Sequence, residues 1–152
     1  MLKGRILAVD FGLKRIGLAV SDPMCIIATA LENLDAGHTV LQSAKALAAH
    51  LDTLKKEKNY TIVEIVIGLP LHMNGVESER SGLVREFAAH VHEITQLPVH
   101  LFDERLSTVQ ADRALIETGF SRKKRAQVVD RVSAVILLQT YLTQRGNKNV
   151  SL

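Results

Sequence analysis

The 152-residue chain reads as an α/β domain on a mixed sheet of five strands, and three features carry that reading. Two apolar runs, Gly4 to Asp10 and Arg15 to Ser21, face each other across a short glycine-containing stretch. Two segments with apolar residues at helical spacing alternate with short, almost wholly apolar runs. No repeat, linker or low-complexity stretch interrupts the pattern, and a hydrophobic fraction of 47% suits one core.

In order, the two N-terminal runs predict a hairpin turning at Gly12, and a third strand is expected from about Ile26 to Leu34, after Pro23. From His38 to Lys58, Val40, Leu41, Ala44, Leu47, Ala48, Leu51 and Leu54 form the apolar stripe of a helix with a basic end. Ile62 to Leu69, IVEIVIGL, has the composition of a central strand covered on both faces, and Pro70 ends its pairing. After the loop LHMNG, a second helix is predicted over about Glu77 to Thr95, with Leu83, Phe87, Val91 and Ile94 inward. Pro98 to Asp103 is a short strand running into Glu104 and Arg105. Ser107 or Thr108 can cap a helix to Thr118 that Gly119 closes. Gln127 to Tyr141 is apolar almost all round, as expected of a buried helix. The predicted domain covers residues 1–145, with a short polar tail at 146–152.

The opening residues, MLKGRILAVDFG, reach an acid too soon for a signal peptide, and no apolar run has the roughly 18 residues of a spanning helix. A cytoplasmic protein is expected. The one cysteine, Cys25, cannot form an internal disulfide and reads as a small hydrophobe. Charge is uneven: residues 1–120 hold 12 Lys and Arg against 15 Asp and Glu, net −3, whereas residues 121–152 hold 7 against 1, net +6. With the run Arg122, Lys123, Lys124 and Arg125, that asymmetry suits a polyanionic partner such as nucleic acid.

Three acids stand at the ends or inside of apolar elements: Asp10 closing the first strand, Glu104 beside Asp103 after the last, and Asp130 in VVDRVSAVILL. An isolated buried carboxylate is costly unless it is paired, hydrogen-bonded or bound to metal. Sites in open α/β sheets form at the carboxyl ends of parallel strands, where Asp10 and Glu104 both fall. If Asp130 projects onto the same edge, the cluster offers only oxygen ligands, which suits Mg²⁺ or Mn²⁺. Taken singly, each acid has an ordinary explanation: a turn hydrogen bond for Asp10, a pair with Arg105 for Asp103 or Glu104, and a pair with Arg131 or the basic loop for Asp130.

VDFGLKRIGLAVSD (9–22), IVIGLPLHMNG (65–75), FDERLST (102–108) and DRVSAVILLQTYL (130–142) resemble, in order and spacing, the YqgF or RuvX family. The resemblance implies a ribonuclease-H-like three-layer fold: a five-stranded mixed sheet, its first three strands antiparallel, flanked by helices. It further implies a nuclease for maturation of the 5′ end of pre-16S ribosomal RNA, with relatives described as Holliday junction resolvases. Asp10, Glu104 and Asp130 match the family's acids. One departure concerns the wider fold family, which places an acid at the end of the fourth strand; here that strand ends GLPLHMNG. Glu104, one strand over, has to compensate. Asp103 and Glu104 would point to opposite faces of a continued strand, and Glu104 is the one expected at the metals.

The mechanism that follows has two ions about 4 Å apart, bridged by Asp10, assisting in-line attack of water on phosphorus. Lys14, Arg15, Arg105 and the Arg122, Lys123, Lys124, Arg125 run would hold backbone phosphates. With 4% aromatics and no Trp, base stacking is not expected to dominate binding. Expected partners are a structured RNA precursor or branched DNA, with a ribosomal particle and a homodimer as further associations. Two rivals stand beside the nuclease. One is an ATP-binding module of the actin and Hsp70 type, which needs two such domains; the other is a nucleic-acid-binding module of the same fold without chemistry.

Overall fold

The computed structural model describes residues 4–106 and 133–146. Its sheet is built from β1 (Arg5–Phe11), β2 (Arg15–Ser21), β3 (Ala28–Ala30), β4 (Leu34–Asp35), β5 (Ile62–Leu69) and β6 (Val99–Asp103). Among the described residues the helices are α1 (Val40–Lys58), α2 (Glu79–Thr95) and α3, residues 133–146, with a 3₁₀ turn at Glu104–Leu106. The order across the sheet is β3-β2-β1-β5-β6, with β4 also pairing β2. β1 is antiparallel to β2 and parallel to β5, which is parallel to β6, so the sheet is mixed as expected.

The expected third strand is two. Asp22 accepts hydrogen bonds from the backbone N–H groups of Met24 (3.1 Å), Ile26 (2.7 Å) and Ile27 (2.8 Å), and these lower its carboxyl pKa, Ile27 most. A side chain that takes those donors competes directly with a strand ladder. Ile26 and Ile27 therefore lie outside the sheet, 60% exposed, and Cys25 sits at φ +57°. Pairing begins only at Ala28, lapses after Ala30 and resumes at Leu34.

Both long helices start two residues later than expected, where a cap is available. The Thr39 side chain accepts from the Gln42 N–H, and Ser78 forms a capping box with Ser81. The buried stripe of α2 is Val84, Phe87, Ala88 and Val91; Leu83 is partly buried and Ile94 is 41% exposed, a displacement from the expected stripe. Phe87 is wholly buried and stacks on Phe11 with centroids 4.3 Å apart. α1 and α2 cover the sheet face bearing Leu7, Val9, Ile65 and Ile67. On the other face Ile6, Ala8, Val66 and Phe102 meet Ala134, Leu137, Leu138 and Leu142 of α3. The result is three layers with two apolar seams. Among the described residues no helix is long and apolar enough to cross a membrane. The helix expected from Ser107 to Thr118, the Arg122–Arg125 run, Asp130 and the tail after Gly146 lie outside the described residues.

Candidate active site at the carboxyl edge of the sheet

Side chains alternate along a strand, so burial assigns each face. In β1, Leu7, Val9 and Phe11 point toward α1 and α2 while Ile6 and Ala8 point toward α3; Asp10 belongs to the α3 face. In β5, Val66 and hence Gly68 share that face, and in β6 Phe102 does. Asp10 lies opposite Gly17 of β2. On its other side β5 runs parallel with Val9 beside Ile67, so Gly68 is its neighbour there. Asp10 is thus set between two glycines and is only 5% exposed.

Glu104 enters this space from the next strand. Gly68 pairs with Phe102, and a Cβ placed on Gly68 would lie 2.8 Å from Glu104 Oε1 and 3.2 Å from its Cγ. The Glu104 side chain therefore lies across Gly68, 6% exposed, about one strand spacing (~4.8 Å) from the backbone of Asp10. This accounts for the acid missing from GLPLHMNG. The end of β5 carries a glycine because the neighbouring strand's glutamate occupies the room a side chain would need.

The choice between Asp103 and Glu104 follows from where the strand stops. β6 ends at Asp103 and the 3₁₀ turn begins at Glu104, which folds inward. Asp103 instead accepts from Arg105 Nη2 at 2.6 Å, Nε at 3.1 Å and the Arg105 backbone N–H at 2.9 Å. The guanidinium holds its carboxyl below the usual carboxylate range, and the carboxylate raises the Arg105 pKa in turn. Arg105 Nη1 also donates to the Met73 carbonyl at 3.2 Å. That carbonyl belongs to a tight turn in which the Gly75 N–H reaches His72 O at 2.8 Å, with Gly75 at φ +84°. The LHMNG loop thus presents a main-chain acceptor to Arg105.

Of the expected phosphate contacts, Lys14 is exposed in the hairpin turn, and its carbonyl accepts from Ala36 at 3.0 Å. Arg15 begins β2, opposite Asp35 of β4. Gly12 makes the turn possible, because a Cβ there would sit 2.5 Å from the Arg15 carbonyl oxygen. Asp130 and the basic run lie outside the described residues. Among the described residues no three His, Cys, Asp or Glu side chains form a metal-binding group. What the structure does bring together is Asp10 and Glu104.

Three features were not read from sequence. Gly17 and Gly68 make the room around the acids, and their signal is a glycine inside an apolar run, RIGLAV and IVIGLP. The third is Glu64, the third residue of β5. Its carboxylate accepts from the Tyr141 hydroxyl at 2.5 Å, with His100 Nε2 at 3.8 Å and Arg145 Nη2 at 4.0 Å.

A family model described as RuvX, Holliday junction resolvase, matches residues 4–144. A protein of Koribacter versatilis is 47% identical over 145 residues, covering 94% of this chain and 89% of its own length. One of Protochlamydia amoebophila is 46% identical over 144 residues, covering 93% and 94%, and one of Moorella thermoacetica is 42% identical over 147, covering 96% and 99%. All three carry the name "Putative pre-16S rRNA nuclease". Among solved structures, Thermus thermophilus RuvC in complex with a Holliday junction substrate superposes with a TM-score of 0.52 at 15% identity, covering 93% of this chain and 95% of RuvC. A second RuvC structure from the same organism gives 0.50 at 14%, covering 93% and 96%. At that identity the likeness concerns the fold, which is the ribonuclease-H-like fold of RuvC.

Proposed function

Because this chain belongs to the RuvX family, we propose that it is a metal-dependent nuclease that hydrolyses phosphodiester bonds, with the 5′ end of pre-16S ribosomal RNA as its substrate. One observation carries the proposal: Asp10 at the end of β1 and Glu104 in the turn after β6 are both nearly inaccessible at the carboxyl edge of the sheet, with Glu104 lying across Gly68, the β5 neighbour of Asp10. Substrates of α/β sheets bind at that edge, and the relatives' names supply the RNA.

The donors fit a hard divalent cation. They are carboxylate oxygens, with neither thiol nor imidazole among them, and Gly68 supplies the side-chain-free backbone on which Glu104 lies. Asp10 and Glu104, joined by Asp130, would hold Mg²⁺ or Mn²⁺, and three carboxylates have enough oxygens for two ions. Bound there, the cation supplies charge stabilisation at the phosphate and acidifies an attacking water. The chain's own residues do the rest. The enclosed position of Asp10 and Glu104 keeps bulk water off the carboxylates and so strengthens their hold on cation charge. Lys14 and Arg15 at the rim, and the basic run from Arg122 to Arg125, would hold backbone phosphates and set register without reading sequence. Arg105 acts through Asp103 and the Met73 carbonyl to fix the loop beside the site. This assignment puts the protein in the cytoplasm, on precursor ribosomal particles.

The test is cleavage of a labelled 5′ precursor ribosomal RNA and a labelled four-way DNA junction by wild type and Asp10→Asn, with Mg²⁺ or Mn²⁺ against a chelator. We expect cutting of the RNA that needs both cation and Asp10, the variant falling about a thousandfold. Preferential cutting of the junction would make it a resolvase. Binding of both without cutting of either would leave a nucleic-acid-binding module.

A further inference from the structure

On the other face of the same edge a cleft of about 350 Å³ opens between the β1–β2 turn and the first turns of α2, lined by Phe11, Leu13, Glu79, Arg80 and Leu83. Phe11 follows Asp10 directly, so the cleft and the carboxylate site share the end of one strand and are divided only by the sheet. Its floor is rigid. Phe11 is 4% exposed and stacked on Phe87, and its carbonyl accepts from Arg80 Nη2 at 3.2 Å, which fixes the guanidinium at the wall. Its rim is an apolar side chain held out to solvent: Leu13 is 71% exposed on a turn that Gly12 keeps tight.

The chemistry of this lining selects a ligand. One guanidinium and one carboxylate stand together, so the cleft carries no net charge to attract a bare phosphate, and Glu79 opposes one. Leu13 and Leu83 offer apolar contact to a flat, neutral ring over the Phe11 floor. Arg80 and Glu79 offer a donor and an acceptor to its edge, the pairing with which proteins read bases. Resting on the nuclease reading above, we propose that this cleft holds one unpaired nucleobase of the substrate strand, flanking the phosphate at Asp10 and Glu104. A base in a stack cannot enter it, so the cleft favours substrates with an unpaired nucleotide beside the reacting phosphate. Single-stranded RNA meets that requirement, and base contacts of this kind add to the affinity supplied by backbone phosphates.

The experiment uses the full chain with methyl-labelled leucine, followed by NMR in chelator, and two probes: a short single-stranded RNA and the same oligomer with abasic residues throughout. Phosphates are common to both, so only base recognition separates them. We expect the intact oligomer to shift the Leu13 and Leu83 methyl resonances and to bind about tenfold more tightly than the abasic one. The exposed double variant Leu13→Ala/Arg80→Ala, its fold checked by circular dichroism, should bind both alike. Equal affinities in wild type, or a preference that survives in the double variant, would overturn the cleft. If neither oligomer binds, the nucleic-acid reading itself falls and the cleft with it. If the intact oligomer shifts Leu13 and Leu83 while the precursor RNA stays uncut with Mg²⁺ or Mn²⁺, the cleft stands and the nuclease assignment falls.

Discussion

Glu64 and Glu104 are both glutamates turned onto the α3 side of one sheet, in neighbouring strand systems, and the protein treats them in opposite ways. Glu64, near the amino end of β5, is approached from two layers: it accepts from the Tyr141 hydroxyl of α3, with Arg145 of α3 at 4.0 Å and His100 of β6 at 3.8 Å. Its charge ties helix to sheet. Glu104, at the carboxyl end, is less exposed still, yet it lies over Gly68, and its neighbour Asp10 is flanked by Gly68 and Gly17. One carboxylate is closed in by a hydroxyl donor at 2.5 Å with an arginine and a histidine nearby. The other lies across a glycine, at the edge of the sheet where the second acid, Asp10, stands. What surrounds a buried acid therefore says more about its task than how deeply it is buried.

The largest effect should come from adding a side chain at Gly68. Gly68→Ala places a methyl group 2.8 Å from Glu104 Oε1, and the clash is relieved by moving the end of a flexible side chain. The fold should survive, since replacing a strand glycine also removes its entropic disadvantage of about 0.5–1 kcal/mol. Cleavage should fall about a hundredfold, the usual consequence of displacing a reacting group by an ångström. Measuring kcat/KM alongside the thermal midpoint checks this. Unchanged cleavage would show that the position of Glu104 over Gly68 has no part in the reaction.

The same contrast marks what could be read from sequence. The hairpin, β5, both long helices and the mixed sheet were legible because apolar periodicity reports burial, and burial decides those elements. Asp10 and Glu104 were legible as acids in the wrong company. The split of the third strand was not, because the apolar letters from Ile26 onward suggest a strand while the Asp22 carboxylate captures the N–H groups of Met24, Ile26 and Ile27. Nor was Glu64, whose partners lie 36 and 77 residues away in His100 and Tyr141 and meet it only in the folded protein. Gly68 was visible only as a letter; its meaning depends on register with a strand that comes 34 residues later.

An intermediate effect should come from the closed acid. Tyr141→Phe removes the hydroxyl that donates to Glu64 at 2.5 Å and leaves a half-enclosed carboxylate short of a donor, at a cost of about 2 kcal/mol. Activity per folded molecule should not change, in contrast to Gly68→Ala. The tyrosine pKa is raised above its ordinary 10.0, first by burial and then by the hydrogen bond and charge of Glu64. The folded state therefore keeps a proton that the unfolded chain releases, so this stabilisation is whole below pH 10 and is lost as pH rises beyond it. The gap in stability between wild type and variant, followed by chemical denaturation, should narrow above pH 10. A gap constant to pH 12 would assign the loss to packing.

The smallest effect belongs to Asp103, the acid beside Glu104 that the protein pairs with its own arginine. Asp103→Asn keeps the shape but weakens the hold on Arg105, and through it on the Met73 carbonyl. The pair is partly open to solvent, with Arg105 31% and Asp103 18% exposed, so water and salt screen much of its attraction. The fall in thermal midpoint should accordingly be smaller than for Tyr141→Phe. Its pH dependence runs the other way. Arg105 holds the Asp103 carboxyl below its ordinary 3.8, so the folded state binds fewer protons than the unfolded one in that range. The contribution is present above pH 3.8 and disappears as pH falls through the lowered value. Melting wild type and Asp103→Asn from pH 7 down to pH 3 should show the two converging at the acid end. A difference that persists there would mean that Asp103 supports the turn by geometry alone. In that case charge would distinguish only Glu64 and the Asp10–Glu104 pair, and the third acid of this edge would be a spacer.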